Sequence, residues 1–265
     1  MQSTMEFEYC ALTDVGQVRA NNEDAVRVDG ARGLAILADG MGGYNAGEVA
    51  SAIAVERIGD ELGKWLDTAG ADASMASLGH AAERCVESVN RAIFEAANTD
   101  PACAGMGTTV VLTVARDRQL LIGHIGDSRA YHWHGETLTQ LTRDHSLLQE
   151  QLDAGLITPA EAAGSGYRSL ITRALGVEDT VLLDTQVVAL QADSVFLLCS
   201  DGLTEMVSDS DIASVLGSDS ELPAQAQALI DLANANGGRD NISVILIRNQ
   251  EMTKKSGIVG KLWRK

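Results

Sequence analysis

Four aspartates share one local setting. Asp39, Asp127, Asp201 and Asp240 occur as Ala38-Asp39-Gly40, Gly126-Asp127-Ser128, Ser200-Asp201-Gly202 and Arg239-Asp240-Asn241. Each reads as a carboxylate at a strand end or tight turn. Glu23, four residues after Arg19, shortly precedes another strand. Taken singly, each is equally an ordinary turn residue, because Asp and Gly favour turns. Gathered in space, such acids repel and raise one another's pKa values. Folds rarely assemble them without a cation between them. An all-oxygen set suits hard divalent ions, magnesium or manganese, rather than zinc. Two such ions hold and activate a water and stabilise a phosphoryl transition state. The guanidinium fork of Arg19 matches phosphate oxygens in a way lysine does not. The chemistry expected is metal-assisted phosphoester hydrolysis, provided the acids converge.

The elements that must position these groups are legible from periodicity. Residues 7–12 read as a strand, and 25–28 with 34–38 as a hairpin delivering Asp39. Gly40, Gly42 and Gly43 are expected to bend the chain sharply, since glycine adopts positive φ freely. Asn45 with Glu48 resembles a capping box, opening a helix over 49–66. A second helix is expected over 75–97, where Leu78, Ala82, Val86, Val89 and Ile93 recur at helical spacing. Four antiparallel strands follow at 108–115, 119–125, 130–133 and 137–141. Residues 144–170 break the pattern and read as an inserted flap. It holds a helix over 144–154, a second opened by Thr158 and Pro159, and a flexible stretch at 164–167. Strands at 181–190 and 194–198, helices at 209–216 and 222–234, and a strand at 242–247 complete the chain. The lack of regular βαβ alternation argues against a Rossmann or barrel sheet. One domain over residues 1–250 is expected, followed by a basic, flexible tail at 251–265.

Composition sets the outer limits. In 265 residues, 45% are hydrophobic, enough for a substantial core. The formal net charge of −17 argues against a general nucleic-acid binder. No run approaches the roughly 20 apolar residues of a transmembrane helix. Residues 1–8 lack the basic start of a signal peptide. Cys10, Cys85, Cys103 and Cys199 form no CxxC, which fits buried thiols in a reducing cytoplasm.

The chain resembles the bacterial branch of the metal-dependent, type 2C serine/threonine phosphatases. The resemblance rests on Thr13-Asp14-Val15-Gly16, Arg19, Asn22-Glu23-Asp24, Asp39-Gly40-Met41-Gly42-Gly43, Gly107-Thr108-Thr109 and Gly126-Asp127-Ser128-Arg129. It continues through Ile171-Thr172-Arg173-Ala174-Leu175-Gly176, Ser200-Asp201-Gly202-Leu203 and Arg239-Asp240-Asn241. These stand in the family's order over about residues 5–248. The resemblance implies an α+β fold: a four-layer α/β/β/α sandwich of two antiparallel sheets flanked by helices, with a flap insertion. It implies two core manganese or magnesium ions. Asp39 would bridge them, Asp201 and Asp240 would bind the first, and Glu23 (in part through water) and the Gly40 carbonyl the second. Asp127, with Asp201, would hold a weaker third ion that Ser169 in the flap approaches. Arg19 would bind the substrate phosphate. The implied reaction is in-line attack of the metal-bridging water on phosphoserine or phosphothreonine, without a phosphoenzyme. Phosphorylated proteins, an opposing kinase and a monomeric state are likewise implied.

Two positions depart from the family pattern. Met41 stands where some members carry a histidine that protonates the leaving group, so no general acid is assigned. Ser165-Gly166-Tyr167-Arg168 replaces a frequent His-Pro before the arginine. The rival reading is a catalytically silent phosphatase-fold module that binds phosphoproteins. Silent relatives lose metal acids; none is lost here. His132 and His134 alternate on one strand, where a zinc pair competes with plain surface histidines. His124 and His145 lie beside motif regions, with proton transfer or packing as their alternatives. The basic, apolar tail is read as solubilising or as a contact for a membrane or partner.

Overall fold

The computed structural model describes residues 4–43, 46–69, 73–163 and 170–252. One sheet has the order β1 (Thr4–Asp14), β11 (Ile242–Met252), β10 (Val195–Cys199), β7 (Arg129–His134) and β8 (Thr137–Gln140). The second runs β2 (Asp24–Asp29), β3 (Leu34–Met41), β5 (Val110–Arg116), β6 (Gln119–Ile125) and β9 (Asp184–Ala189). A two-residue strand, β4 (Gly107–Thr108), pairs with β3 at Gly40 and Met41. All these pairings are antiparallel.

Alternation along the strands builds three apolar layers. Leu34 and Ile36 face α1 (Ala46–Ala69) and α2 (Met75–Thr99), packing with Ile58, Leu62, Val86 and Ile93. Their neighbours Ala35 and Leu37 face the other sheet, with Phe196, Leu198 and Ile245. On the far side, Leu197, Val244 and Leu246 pack with Ile212 of α6 (Asp209–Leu216) and Leu229 of α7 (Leu222–Ala235). The period of two sends successive side chains to opposite layers. The inner strands are therefore apolar on both faces although antiparallel. This is the expected four-layer α/β/β/α sandwich. Truncating a residue of the middle layer, such as Leu37→Ala, costs about 2–5 kcal/mol.

Several boundaries differ from expectation, each for a local reason. The first helix starts at Ala46, three residues early; Asn45 of the expected capping box lies outside the described residues. The strand at Asp39 does not stop there but continues to Met41, because β4 supplies it with partners. The strand expected over 108–115 is interrupted at Thr109, which bonds both ways to the Asp39 backbone: its N–H donates to Asp39 O at 2.9 Å, and its Oγ1 accepts from Asp39 N at 3.0 Å. Asp201 does not end a strand; it opens the one-turn helix α5 (Asp201–Thr204) after Ser200. The helix expected over 144–154 is α3 (Leu147–Asp153), capped by Ser146, because Asp144 is held by Arg129 and Ser146 bridges Ile171. Thr158 and Glu161 form a capping box at α4 (Pro159–Ala163). The strand expected over 181–190 spans only Asp184–Ala189. The edge strand β1 and its neighbour β11 run longer than expected, since each pairs with the other along its full length. Ser169 and residues 253–265, most of the expected tail, lie outside the described residues.

Candidate active site

The acids meet at one end of the sandwich, where strand termini of both sheets come together. Asp24 faces Asp39 directly across the β2–β3 ladder. Asp127 follows the β6 end, Asp201 follows β10, and Asp240 precedes β11. The loop 15–23 closes this end, and Asn241 pins it there. The Asn241 side-chain amide donates to Val15 O at 3.0 Å and Asn21 O at 2.9 Å, and its Oδ1 accepts from Glu23 N at 2.8 Å. Arg19, half exposed, donates to Asp240 Oδ2 at 2.6 Å.

Glycines permit the closest approaches. A Cβ on Gly40 would lie 2.2 Å from Gly47 O and 2.5 Å from Glu23 O. Gly40 is thus needed for space, rather than for the left-handed bend the sequence suggested. A Cβ on Gly47 would lie 2.9 Å from both Glu23 Cδ and Gly40 O, so the carboxylate and that carbonyl share one corner.

The electrostatics are those of acids brought together, with Arg19 paired to Asp240 at their rim. Burial raises the Asp39 carboxyl well above the usual range, and Asp24, Asp201, Asp127 and Asp240 raise it further. Burial raises Asp201 likewise, followed by Asp127, Glu205, Asp240 and Asp24. Burial pushes Asp24 up to about 6, against the hydrogen bond from Ser200. Asp127 is also pushed up to about 6, by burial and then by Asp144. Burial raises Glu23, while Arg19 opposes the shift. Among the described residues, Asp24 Oδ1 and Asp127 Oδ1 are buried and lack a hydrogen-bond partner. Orphaned carboxylate oxygens and mutually raised acids fit hard divalent ions. A cavity of about 230 Å³ opens beside Asp127, Asp201 and Glu205. A groove of about 830 Å³ begins at Met41 and runs past Ile171, Arg173, Val177 and Leu182.

The family profile described as Protein phosphatase 2C matches residues 16–235 of the chain. This chain belongs to the protein phosphatase 2C family. Among its relatives, the serine/threonine phosphatase stp of Listeria innocua is 38% identical over 245 residues, covering 91% of this chain and 96% of that one. The protein phosphatase PhpP of Streptococcus pneumoniae is 41% identical over 251 residues, covering 92% and 98%. A solved catalytic domain of the serine/threonine phosphatase PstP, in complex with two manganese ions, superposes with a TM-score of 0.80 at 37% identity, covering 93% of this chain and all of that domain.

Against that family background, the sequence picked out the central acids but missed their supports. Asp24 was visible only as part of a motif, although its place opposite Asp39 makes it a member of the cluster. Its Oδ2 accepts from Ser200 Oγ at 2.8 Å. Thr108 Oγ1 donates to Asp39 O at 2.8 Å. Nothing local marks Asn241, whose partners lie more than 200 residues away. The histidines also sort themselves. His132 stacks on Phe196 and shares Ser194 with His134, a packing arrangement. Among the described residues, His124, His145 and Asp184 form the one trio of potential ligands whose donor atoms all lie within 4.8 Å of one another.

Proposed function

We infer that this chain is a metal-dependent protein serine/threonine phosphatase, hydrolysing phosphoserine and phosphothreonine. The observation that carries this reading is the convergence of Asp24, Asp39, Asp127, Asp201 and Asp240, with Arg19 as the cation at their rim. Asp39, Asp201, Asp240, Glu23 and the Gly40 carbonyl hold two manganese or magnesium ions in this proposal; Asp127 with Asp201 holds a weaker third. When bound, such ions supply Lewis acidity, lowering the pKa of a water and offsetting charge on the transferring phosphoryl group. The chain's own residues do the rest. Arg19 offers guanidinium N–H donors to the substrate phosphate. Thr108 and Thr109 fix the Asp39 backbone, so that its carboxylate is preorganised rather than recruited. Met41 has no proton to donate, so the leaving alkoxide takes its proton from another source. The groove beside Met41 receives the polypeptide around the phosphorylated residue.

The cellular setting follows from this chemistry. Among the described residues no helix is long and apolar enough to cross a membrane. We place the enzyme in a bacterial cytoplasm, as a monomer opposing a serine/threonine kinase. Its catalytic domain runs to Met252, where β11 ends, two residues beyond the boundary expected at 250. Phosphate release from a phosphothreonine peptide, with manganese and with EDTA, tests the reading. Release that EDTA abolishes is expected; no release from folded, manganese-loaded protein would leave only a phosphoprotein-binding module.

A further inference from the structure

His145 is buried, yet it touches three separate segments. Its backbone N–H donates to Gly126 O at 2.9 Å, and its Nδ1 accepts from the Gly126 N–H at 3.0 Å. Its carbonyl accepts from Thr172 N at 2.8 Å. Its Nε2 lies 3.2 Å from Asp184 Oδ2. Asp184 Oδ1 in turn accepts from Arg173 Nη1 at 2.7 Å. His124, paired with Asp184 across β6 and β9, stacks on the His145 ring at 4.7 Å.

Gly126 needs such a partner. It lies just beyond β6 with φ near +100°, and a Cβ there would meet Thr109 Cγ2 at 2.6 Å. Both polar groups of its backbone go to His145. The next residue is Asp127. The two ends of the 147–169 excursion close on the same histidine: Ser146 bridges Ile171, and Leu147 N donates to Leu170 O at 2.9 Å. One residue, by its ring on Gly126 and Asp184 and by its backbone on Gly126 and Thr172, therefore ties the Asp127 turn to the roots of the flap.

The hydrogen bonds also fix what the ring carries. A backbone N–H only donates, so His145 Nδ1 must present a lone pair. The ring proton then sits on Nε2 and points at the Asp184 carboxylate. That polarity is opposite to a metal site, where the liganding nitrogen is bare and the other donates to a carbonyl or carboxylate. His124 Nε2 donates to Arg143 O at 2.9 Å, so only its Nδ1 carries a lone pair, and it faces a protonated His145 Nε2 and an Asp184 already held by Arg173. Arg173 already neutralises Asp184. The trio is built to hold a proton rather than a cation.

We propose that His145 is a positioning residue that, oriented by Asp184, locks the Gly126–Asp127 turn to the flap roots. The proposal rests on the reading of Asp127 as an ion ligand only for its effect on turnover; the lock itself is a property of the ion-free fold.

Amide hydrogen exchange on ion-free protein is the direct test. His145→Ala speeds exchange of the Gly126 amide by about tenfold or more, the loss expected for one buried hydrogen bond. His145→Asn, whose Oδ1 occupies the Nδ1 position, restores protection, whereas His145→Gln does not. Should His145→Ala fail to fold, Asp184→Asn on the half-exposed strand removes the orienting carboxylate and speeds the same amide by a smaller factor. Unchanged Gly126 protection in these variants overturns the proposal. So does stoichiometric zinc retained by the wild type and lost in Asp184→Asn.

A double-mutant cycle on turnover with manganese extends the test. His145→Ala lowers kcat in the wild-type background and has no further effect in Asp127→Ala. Additive losses overturn the link to Asp127. An Asp127→Ala variant of full activity would instead count against Asp127 as a ligand, and the exchange data would still judge the lock.

Discussion

Asp127 and Asp144 are two buried aspartates at the same end of the molecule, and they are treated in opposite ways. Asp144 is gripped by Arg129, whose Nε donates at 2.9 and 3.0 Å and whose Nη2 donates at 2.7 Å; Gln140 adds a further bond at 3.0 Å. Arg129 is itself anchored on Tyr131 OH at 2.8 Å. Asp127 keeps one oxygen buried and unpartnered. Both line the 230 Å³ cavity. Burial therefore does not distinguish a site acid from a structural one; the absence of a protein counter-charge does. Asp24 follows the Asp127 pattern, and among the described residues no salt bridge joins Asp39 or Asp201 to a basic side chain.

The sharpest way to break this contrast is to remove an acid of each kind, or its partner. Asp39→Ala or Asp201→Ala lowers phosphopeptide turnover by about a thousandfold or more. The same variants leave the melting temperature in EDTA unchanged or higher, because repulsion is relieved. Turnover within tenfold of wild type would sink the assignment. Arg129→Ala does the reverse: it strands Asp144 and destabilises the fold by about 3–5 kcal/mol, read by urea denaturation. Equal stability of that variant and the wild type would show Asp144 to be as uncompensated as Asp127.

Arg19 lies between these extremes, being paired with Asp240 but half exposed. Arg19→Lys keeps the charge and loses the fork, so kcat/KM falls by about tenfold with little change in melting temperature. A loss of stability without a loss of activity would make Arg19 a structural partner of Asp240 only.

The smallest effect is on pH dependence. The Asp24 and Asp127 carboxyls sit at about 6 in the fold, above the usual value near 4. Between those values the ion-free fold binds more protons than the unfolded chain. Its stability is therefore highest at the acid end of this window and falls as pH rises through about 6. Manganese removes the penalty, so it raises the melting temperature more at about pH 7.5 than at about pH 5.5. Ion-free protein that gains stability over this rise would contradict the shared-burial account.

How far the sequence reached depended on the range of the interaction. The acids Asp39, Asp127, Asp201 and Asp240 and the arginine stood out by residue type and local turn signals, whereas their metal roles rested on the family resemblance, since no local signal shows that they converge. Alternating strands and helical stripes were readable from local signals in the same way, whereas the four-layer arrangement was implied by the family resemblance. The sequence alone could not decide that Arg129, two residues from Asp127, turns instead to Asp144. Nor could it reveal that Asp24 joins the acids, that Gly40 is needed for room beside Gly47, or that Asn241 and His145 hold the turns in place. Those assignments depend on which side chains meet across hundreds of residues of chain. Hydrogen bonds and counter-charges act over a few ångströms of space, and only the tertiary structure sets those distances.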